Sequence, residues 1–121
     1  MDIRPHRNLD VWKKAMLLTK DIYEVTAGFP KSEIYGLSSQ MRRAATSIPS
    51  NIAEGAGRKG QKEFLQFLSI AHGSASELDT QIELSTMAGY LDTDEAQALT
   101  QQLTNVTKML YGLSSAIRKK A

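Results

Sequence analysis

The chain has 121 residues, of which 41% are hydrophobic and 23% charged, which suits one folded domain with one core rather than a disordered chain. It contains no cysteine, which excludes disulfides, thiolate-bound metals and a cysteine nucleophile. The net charge is only +2, but residues 29–62 carry six Lys or Arg against two Glu, whereas residues 63–95 carry seven Asp or Glu and no Lys or Arg.

The first predicted helix runs from Leu9 to Thr26. Its apolar residues recur at steps of three and four in two adjacent stripes, the pattern of a bundle helix with a wide apolar face. Asn8 is the predicted N-cap, and Gly28 with Pro30 predicts the end of the helix. The N-terminal segment shows no apolar signal-peptide core, and no apolar run is long enough to cross a membrane, so we expect a cytoplasmic protein.

The second predicted helix begins near Ser32 and ends in the glycine-rich segment 55–57. Its apolar period keeps its phase across Pro49, although a proline lacks the backbone N–H and clashes with the preceding turn. We therefore predict a continuous helix that is kinked near Pro49, with Ile48 and Ile52 in the core.

The third predicted helix lies between Gly60 and Gly89, and the fourth begins at a capping box formed by Asp92 and Glu95. Both repeat apolar residues at steps of three and four, and no segment alternates with the period of a strand for long enough to form one. The pattern predicts an all-α fold, an antiparallel up-down four-helix bundle, with residues 1–121 in a single domain.

Patterns of catalytic and metal-binding residues are absent from the sequence. The histidines are His6 and His72, and neither has Glu or Asp three residues before it, as a di-iron site in a helical bundle requires. We predict no catalytic residue, no metal, no cofactor and no enzymatic activity. His72 lies beside the core stripe of the third helix, so we expect a boundary histidine with a hydrogen-bond partner.

The second helix is rich in small residues, since twelve of the 22 positions from Gly36 to Gly57 are Gly, Ala, Ser or Thr. Small side chains let another helix come close, so we predict a second packing surface whose simplest partner is another copy of the chain. Chance composition is the competing explanation. The residues predicted at this oligomer interface are Ala45, Ser50 and Ala53, with Trp12 and Tyr23 as aromatic anchors on the first helix.

Cations in or just after the second helix are candidates for phosphate contacts, namely Arg42, Arg43, Arg58, Lys59 and Lys62. Terminal cations at Arg4, Arg7 and residues 118–120 would assist them. The alternative is a solvated face with weak surface ion pairs. The basic, glycine-rich segment 55–60 has two compatible interpretations, a turn between helices and a phosphate contact at the start of the third helix.

Three segments carry a resemblance to a known bacterial family: residues 9–12 (LDVW), 34–55 (IYGLSSQMRRAATSIPSNIAEG) and 77–81 (ELDTQ). They resemble the four-helix-bundle proteins of ribosomal-RNA intervening sequences. A related protein, the accessory variability determinant of diversity-generating retroelements, is similar in fold, forms a pentameric barrel, binds nucleic acid and contacts a reverse transcriptase. The resemblance implies a homopentamer and a nucleic-acid surface, and it does not say which nucleic acid is bound.

Two functions from different classes follow. The first is a non-enzymatic homo-oligomer, pentameric by resemblance, that binds structured RNA or another nucleic acid through a basic patch. The second is a protein-interaction scaffold or accessory subunit that does not bind nucleic acid directly. In the second case the acidic residues Glu77, Asp79 and Glu83 would face a basic protein partner.

Overall fold

The structure, a computed structural model, describes residues 3–120, which form four long α-helices and two short 3-10 turns. The α-helices, in chain order, are α1 at Asp10–Thr26, α2 at Leu37–Ala56, α3 at Gln61–Met87 and α4 at Thr93–Lys120. The 3-10 turns, at Pro5–Asn8 and Lys31–Glu33, precede α1 and α2. The all-α four-helix fold predicted from the sequence is confirmed.

The helices pack in a closed ring, in which α1 contacts α2, α2 contacts α3, α3 contacts α4 and α4 returns to α1. Contacts between α2 and α3 run in opposite directions along the two helices. The hydroxyls of Ser47 and Ser74 lie 2.7 Å apart, whereas the earlier residue Met41 accepts a hydrogen bond from the later residue Ser85 at 3.2 Å. Together with the short connections, this order gives an up-down arrangement in which each helix reverses the direction of the one before.

The core lies along the middle of the ring and receives one apolar stripe from each helix. Ile48 and Ile52 are completely buried, as predicted, and α2 runs unbroken through Pro49. Burying two isoleucines contributes about 3 to 6 kcal/mol, which offsets the roughly 3 kcal/mol that a proline costs inside a helix. The kink near Pro49 stays a prediction.

Local signals set the ends of the helices. The predicted capping box is present, because the N–H of Glu95 donates to Asp92 Oδ1 at 2.8 Å and the N–H of Asp92 donates to Glu95 Oε1 at 3.0 Å. Gly89, with a φ of +80°, follows α3 as predicted. The prediction that α2 begins near Ser32 is wrong, because residues 31–33 form a separate 3-10 turn and α2 begins at Leu37.

Packing inside the bundle explains some of the small residues of α2, since four of the twelve are buried, namely Ser38, Ala44, Ala45 and Gly55. Gly55 lies so close to α3 that an added Cβ would stand 2.8 Å from Phe67 Cβ and 2.9 Å from Phe64 Cδ1. Ser47 also faces α3, because its hydroxyl lies 2.7 Å from that of Ser74, and Asn51 bonds to the backbone oxygen and the hydroxyl of Ser47 at 2.8 and 2.9 Å. These positions therefore need small or compact side chains for the α2–α3 contact itself.

Candidate nucleic-acid interface

The alternating direction of the helices brings three basic segments to one end of the bundle, which we call the basic end. They are the turn before α1, the connection between α2 and α3, and the last turn of α4. The cations of the basic end are Arg4, Arg7, Arg58, Lys59, Lys62, Arg118, Lys119 and Lys120. These residues span positions 4 to 120 of the sequence, and the up-down topology places them at the same end, in agreement with the expectation that the terminal cations assist Arg58, Lys59 and Lys62.

Arg58 forms ion pairs with two carboxylates at the basic end. Its guanidinium lies 3.1 Å from Glu54 and 3.8 Å from Glu63, and it stacks on the ring of Phe67 at 5.0 Å. Both ion pairs are about half exposed and therefore weak, so they leave Arg58 able to contact a phosphate. Lys59 and Lys62 are exposed and form no ion pair with any residue in the described range 3–120.

The five predicted cations do not form one patch. Arg42 lies in the first turns of α2, whereas Arg58 follows its last turn. The 16 positions between them correspond to about 24 Å at the rise of an α-helix. Arg42 and Arg43 therefore lie toward the opposite end of the bundle from Arg58, Lys59 and Lys62.

Arg42 is held in place by the end of α1. Its Nε donates to Thr26 Oγ1 at 2.8 Å, and its Nη2 donates to the backbone oxygen of Tyr23 at 3.2 Å. Its guanidinium carbon also lies 4.8 Å from the centre of the Tyr23 ring. A guanidinium has five N–H donors, so this arrangement fixes the plane of the Arg42 side chain and leaves three donors for a ligand.

Arg43 is exposed on the side of α2 that faces α3. It lines a shallow groove with Ser47, Ser74 and Glu77, which is a carboxylate of the acidic surface on α3. A phosphate bound by Arg43 on this side would meet the negative charge of Glu77. Arg43 also borders a second groove, between α1 and α2, where no carboxylate is among the lining residues.

The residues predicted at an oligomer interface differ in how far they are exposed to a second copy of the chain. Ala45 was expected partly off the core stripe, but it is completely buried between the helices. Its backbone oxygen accepts a hydrogen bond from the Thr19 hydroxyl at 3.0 Å, so Ala45 belongs to the α1–α2 contact. The assignment of Ala45 to an outer interface is therefore wrong. Ser50 is exposed and Ala53 is partly exposed, so both reach the outer face of α2.

The two aromatic residues predicted as interface anchors already have partners within the chain. Trp12 is half-buried, with the ring of His6 at 5.0 Å and the guanidinium of Arg7 at 5.7 Å. Tyr23 is 45% exposed and lies against Arg42. Both rings retain solvent-accessible surface, but each already contacts an arginine of its own chain.

Sequence reasoning missed an exposed apolar stripe on α3. Ile70, Leu84 and Met87 are exposed by 51%, 49% and 76%. The signal was present in the sequence, because these residues are spaced by 14 and 3 positions and so share one helical face, away from the buried stripe through Leu78. The exposed carboxylates Glu77 and Glu83 are on the same helix and form no ion pair within the part of the chain that the structure describes.

Within residues 3–120, no group of three or more His, Asp or Glu is placed so that it could hold a metal ion. The ring of His72 packs against Tyr111 at 4.1 Å, and its Nε2 is buried without the predicted hydrogen-bond partner in this range. Burial lowers the pKa of His72. No helix within the described residues is both long and apolar enough to span a membrane.

Comparison with known proteins supports the resemblance seen in the sequence. A family described as 23S rRNA-intervening sequence protein matches residues 7–112. A similar solved structure is that of a protein of unknown function from the S23 ribosomal protein family of Bacteroides thetaiotaomicron VPI-5482. It is 23% identical, with a TM-score of 0.78, and the alignment covers 86% of this chain and 97% of that chain. This likeness shows the shared four-helix fold, and no curated protein matches the sequence.

Proposed function

The chain belongs to the family of 23S rRNA-intervening sequence proteins, and from that premise we propose that it is a non-enzymatic, homo-oligomeric protein of the cytoplasm that binds structured RNA or another nucleic acid. The basic end of the bundle is the proposed contact surface. Arg58, Lys59 and Lys62 contact phosphates there, together with the cations of the two chain termini.

The observation that carries this proposal is the excess of cations at the basic end. Eight Lys or Arg side chains gather there, and the carboxylates of the flanking helix turns are Asp10, Glu54 and Glu63. Glu54 and Glu63 pair with Arg58, whereas Lys59 and Lys62 form no ion pair within residues 3–120. Contacts between such cations and phosphates supply affinity without reading sequence, and they weaken as salt rises.

Self-association increases the overall affinity of the protein for a long nucleic acid. One basic end is small, but a ring of copies repeats it and gains avidity for a long nucleic acid. The family resemblance favours five copies. Because Trp12 and Tyr23 already contact cations of their own chain, we place the contact between copies on the outer face of α2, at Ser50 and Ala53.

Fluorescence anisotropy with a labelled RNA hairpin and a duplex DNA tests the nucleic-acid surface. We expect binding at about 50 mM KCl and an affinity at least tenfold weaker at about 200 mM. The double variant K59Q/K62Q should bind markedly more weakly at the lower salt. K20Q/K108Q is the matched control, because it removes the same charge from the middle of the bundle, and it should bind almost as the wild type does. Absence of binding at the lower salt, or equal losses in both variants, rejects the proposal.

The exposed stripe on α3 favours a second candidate function, a scaffold for a basic protein partner. Apolar side chains beside unpaired carboxylates suit an amphipathic partner that carries lysine or arginine. A stoichiometric partner that survives nuclease treatment, and that is lost with Leu84→Asp but kept with Leu17→Asp on α1, supports this function over nucleic-acid binding. Leu17 is the matched control because it is exposed by 56%, close to the 49% of Leu84.

A further inference from the structure

A groove of about 550 Å³ lies between the end of α1 and the first turns of α2, at the end of the bundle opposite the basic end. The residues that give it chemical character are Tyr23, Lys31, Ile34, Ser38, Arg42 and Arg43. The volume falls within the range of pockets that hold small organic ligands. Its lining combines cations, an aromatic ring, a hydroxyl and an apolar side chain.

Positive charge dominates the groove. Lys31 and Arg43 are exposed and pair with no carboxylate within residues 3–120, and Arg42 keeps three unused N–H donors. The nearby carboxylate of Glu33 is not among the lining residues. It accepts the N–H of Leu37 and the hydroxyl of Tyr90, both at 3.0 Å, and so it is directed at the start of α2. An anion in the groove therefore meets three cations.

A planar platform stands beside these cations. The Arg42 guanidinium lies over the Tyr23 ring, and its two hydrogen bonds to α1 hold it there. Proteins bind unpaired nucleobases by stacking them on tyrosine rings and on guanidinium planes. Because the Arg42–Tyr23 pair is formed before any ligand arrives, a third planar group can extend the stack without ordering either side chain.

Ser38 supplies a hydroxyl at the wall of the groove. The residue as a whole is only 7% exposed, and it lines the groove together with Arg42 and Tyr23. A serine hydroxyl is both a donor and an acceptor, so the one at this wall can bond to a polar group of a ligand in the groove. The polar edge of a nucleobase or a ribose hydroxyl is such a group.

We infer that this groove binds one unpaired nucleotide, with its phosphate on Lys31 and Arg43 and its base against the Arg42–Tyr23 pair. The inference rests on the proposed nucleic-acid function and adds a ligand class to it, namely RNA that presents an unpaired base. A paired base is stacked inside its helix and does not reach a side-chain platform in a groove, whereas a bulged or looped base does.

Two RNA hairpins test the inference, one fully paired in its stem and one with a single bulged adenosine in the same stem. We expect the protein to bind the bulged hairpin several-fold to about tenfold more tightly, as stacking of one base provides. Tyr23→Leu should abolish this preference while it leaves binding of the paired hairpin unchanged. Tyr111→Leu, at an exposed tyrosine of α4, is the matched control and should keep the preference.

The outcomes separate this inference from the proposed function. Equal binding of the two hairpins by the wild type overturns the inference and leaves the proposed function standing, whereas binding of neither hairpin overturns both. Adenosine monophosphate at millimolar concentration should lower the affinity for the bulged hairpin to that for the paired one, and it should leave the affinity for the paired hairpin unchanged. Equal displacement of both hairpins contradicts a groove specific for the unpaired nucleotide. Lys31→Gln, on the exposed connection before α2, is a second variant that should reduce the preference without disturbing the helices.

Discussion

The hydroxyl of Thr19 on α1 donates to the backbone oxygen of Ala45 on α2, at a distance of 3.0 Å. Ala45 is the residue four positions before Pro49, so its carbonyl is the one that loses its helical partner when position 49 has no N–H. The same hydroxyl lies 2.8 Å from the oxygen of Ala15, which is within its own helix. The one proton of the hydroxyl is shared between these two oxygens, so α1 replaces part of the hydrogen bond that Pro49 removes from α2. This is one physical reason why α2 can pass through a proline.

Thr19→Val should destabilise the protein by about 1 to 3 kcal/mol, because it leaves the buried oxygen of Ala45 without a donor while it preserves the shape of the side chain. The free energy of unfolding in urea measures this cost. Thr19→Ser keeps the hydroxyl and is the control, and it should be clearly more stable than Thr19→Val.

A double-mutant cycle tests the connection between Thr19 and Pro49. Pro49→Ala restores a backbone N–H that can bond to Ala45, so Thr19→Val should cost less than about 1 kcal/mol in that background. If Thr19→Val lowers the free energy of unfolding equally in the wild type and in Pro49→Ala, the Thr19 hydroxyl does not compensate for the proline.

Gly55→Ala should destabilise the bundle by about 1 to 3 kcal/mol, because the new methyl would stand 2.8 Å from Phe67 Cβ and 3.3 Å from the backbone oxygen of Phe64. Gly112→Ala is the matched control, since an added Cβ on α4 meets nothing within 4 Å. That change should stabilise the helix by up to about 1 kcal/mol. Urea unfolding measures the free energy of unfolding of both variants. Equal changes of the same sign relative to the wild type would contradict the close α2–α3 contact.

The fold was more predictable than the site, for a physical reason. Helices leave periodic and local signals, and both the stripe through Ile48 and Ile52 and the capping box of Asp92 were visible in the sequence. Whether a side chain is exposed to a partner depends on which face each helix packs against its neighbours in the bundle. Ala45 was assigned to the outside because its packing partner, Thr19, is 26 positions away in the sequence. The terminal cations were expected to assist Arg58, Lys59 and Lys62, but Arg42 and Arg43 were grouped with them because the sequence does not show that they lie toward the other end of the bundle.

His72 should make the stability of the folded protein sensitive to pH. Burial lowers its pKa in the folded state, because charging the ring would bury a second N–H beside Tyr111. The unfolded chain takes up a proton near its ordinary pKa of about 6.5, so between the two pKa values it binds more protons than the folded chain. Stability is therefore complete above about pH 6.5 and falls as the pH decreases toward the folded-state pKa.

Thermal melts at about pH 7.5 and about pH 5.5 measure this effect. The melting temperature should be lower at the lower pH in the wild type, and His72→Gln should reduce the difference. His6→Gln removes the other histidine and should leave the difference in place. An unchanged pH dependence in His72→Gln would show that another group is responsible.

Self-association through the outer face of α2 predicts that Ser50→Arg and Ala53→Arg shift the protein toward monomer. Enlarging a small residue at a close helix contact costs about 1 to 3 kcal/mol, which corresponds to roughly 5- to 150-fold weaker association per site. Helical circular dichroism should be unchanged, because Ser50 is exposed and Ala53 is partly exposed in the single chain. Ala98→Arg, at an exposed position of α4, is the matched control and should keep the oligomer.

Ala45→Arg is expected to behave differently from the two outer-face variants, because a charged side chain cannot fit a site with no exposed surface, so the chain should unfold rather than dissociate. Light scattering on the wild type at tens of micromolar is the first measurement to make. An oligomer that dissociates with Ala53→Arg and not with Ala98→Arg supports the contact on α2. A monomeric wild type would refute self-association and remove the avidity that lets one small basic end hold a nucleic acid.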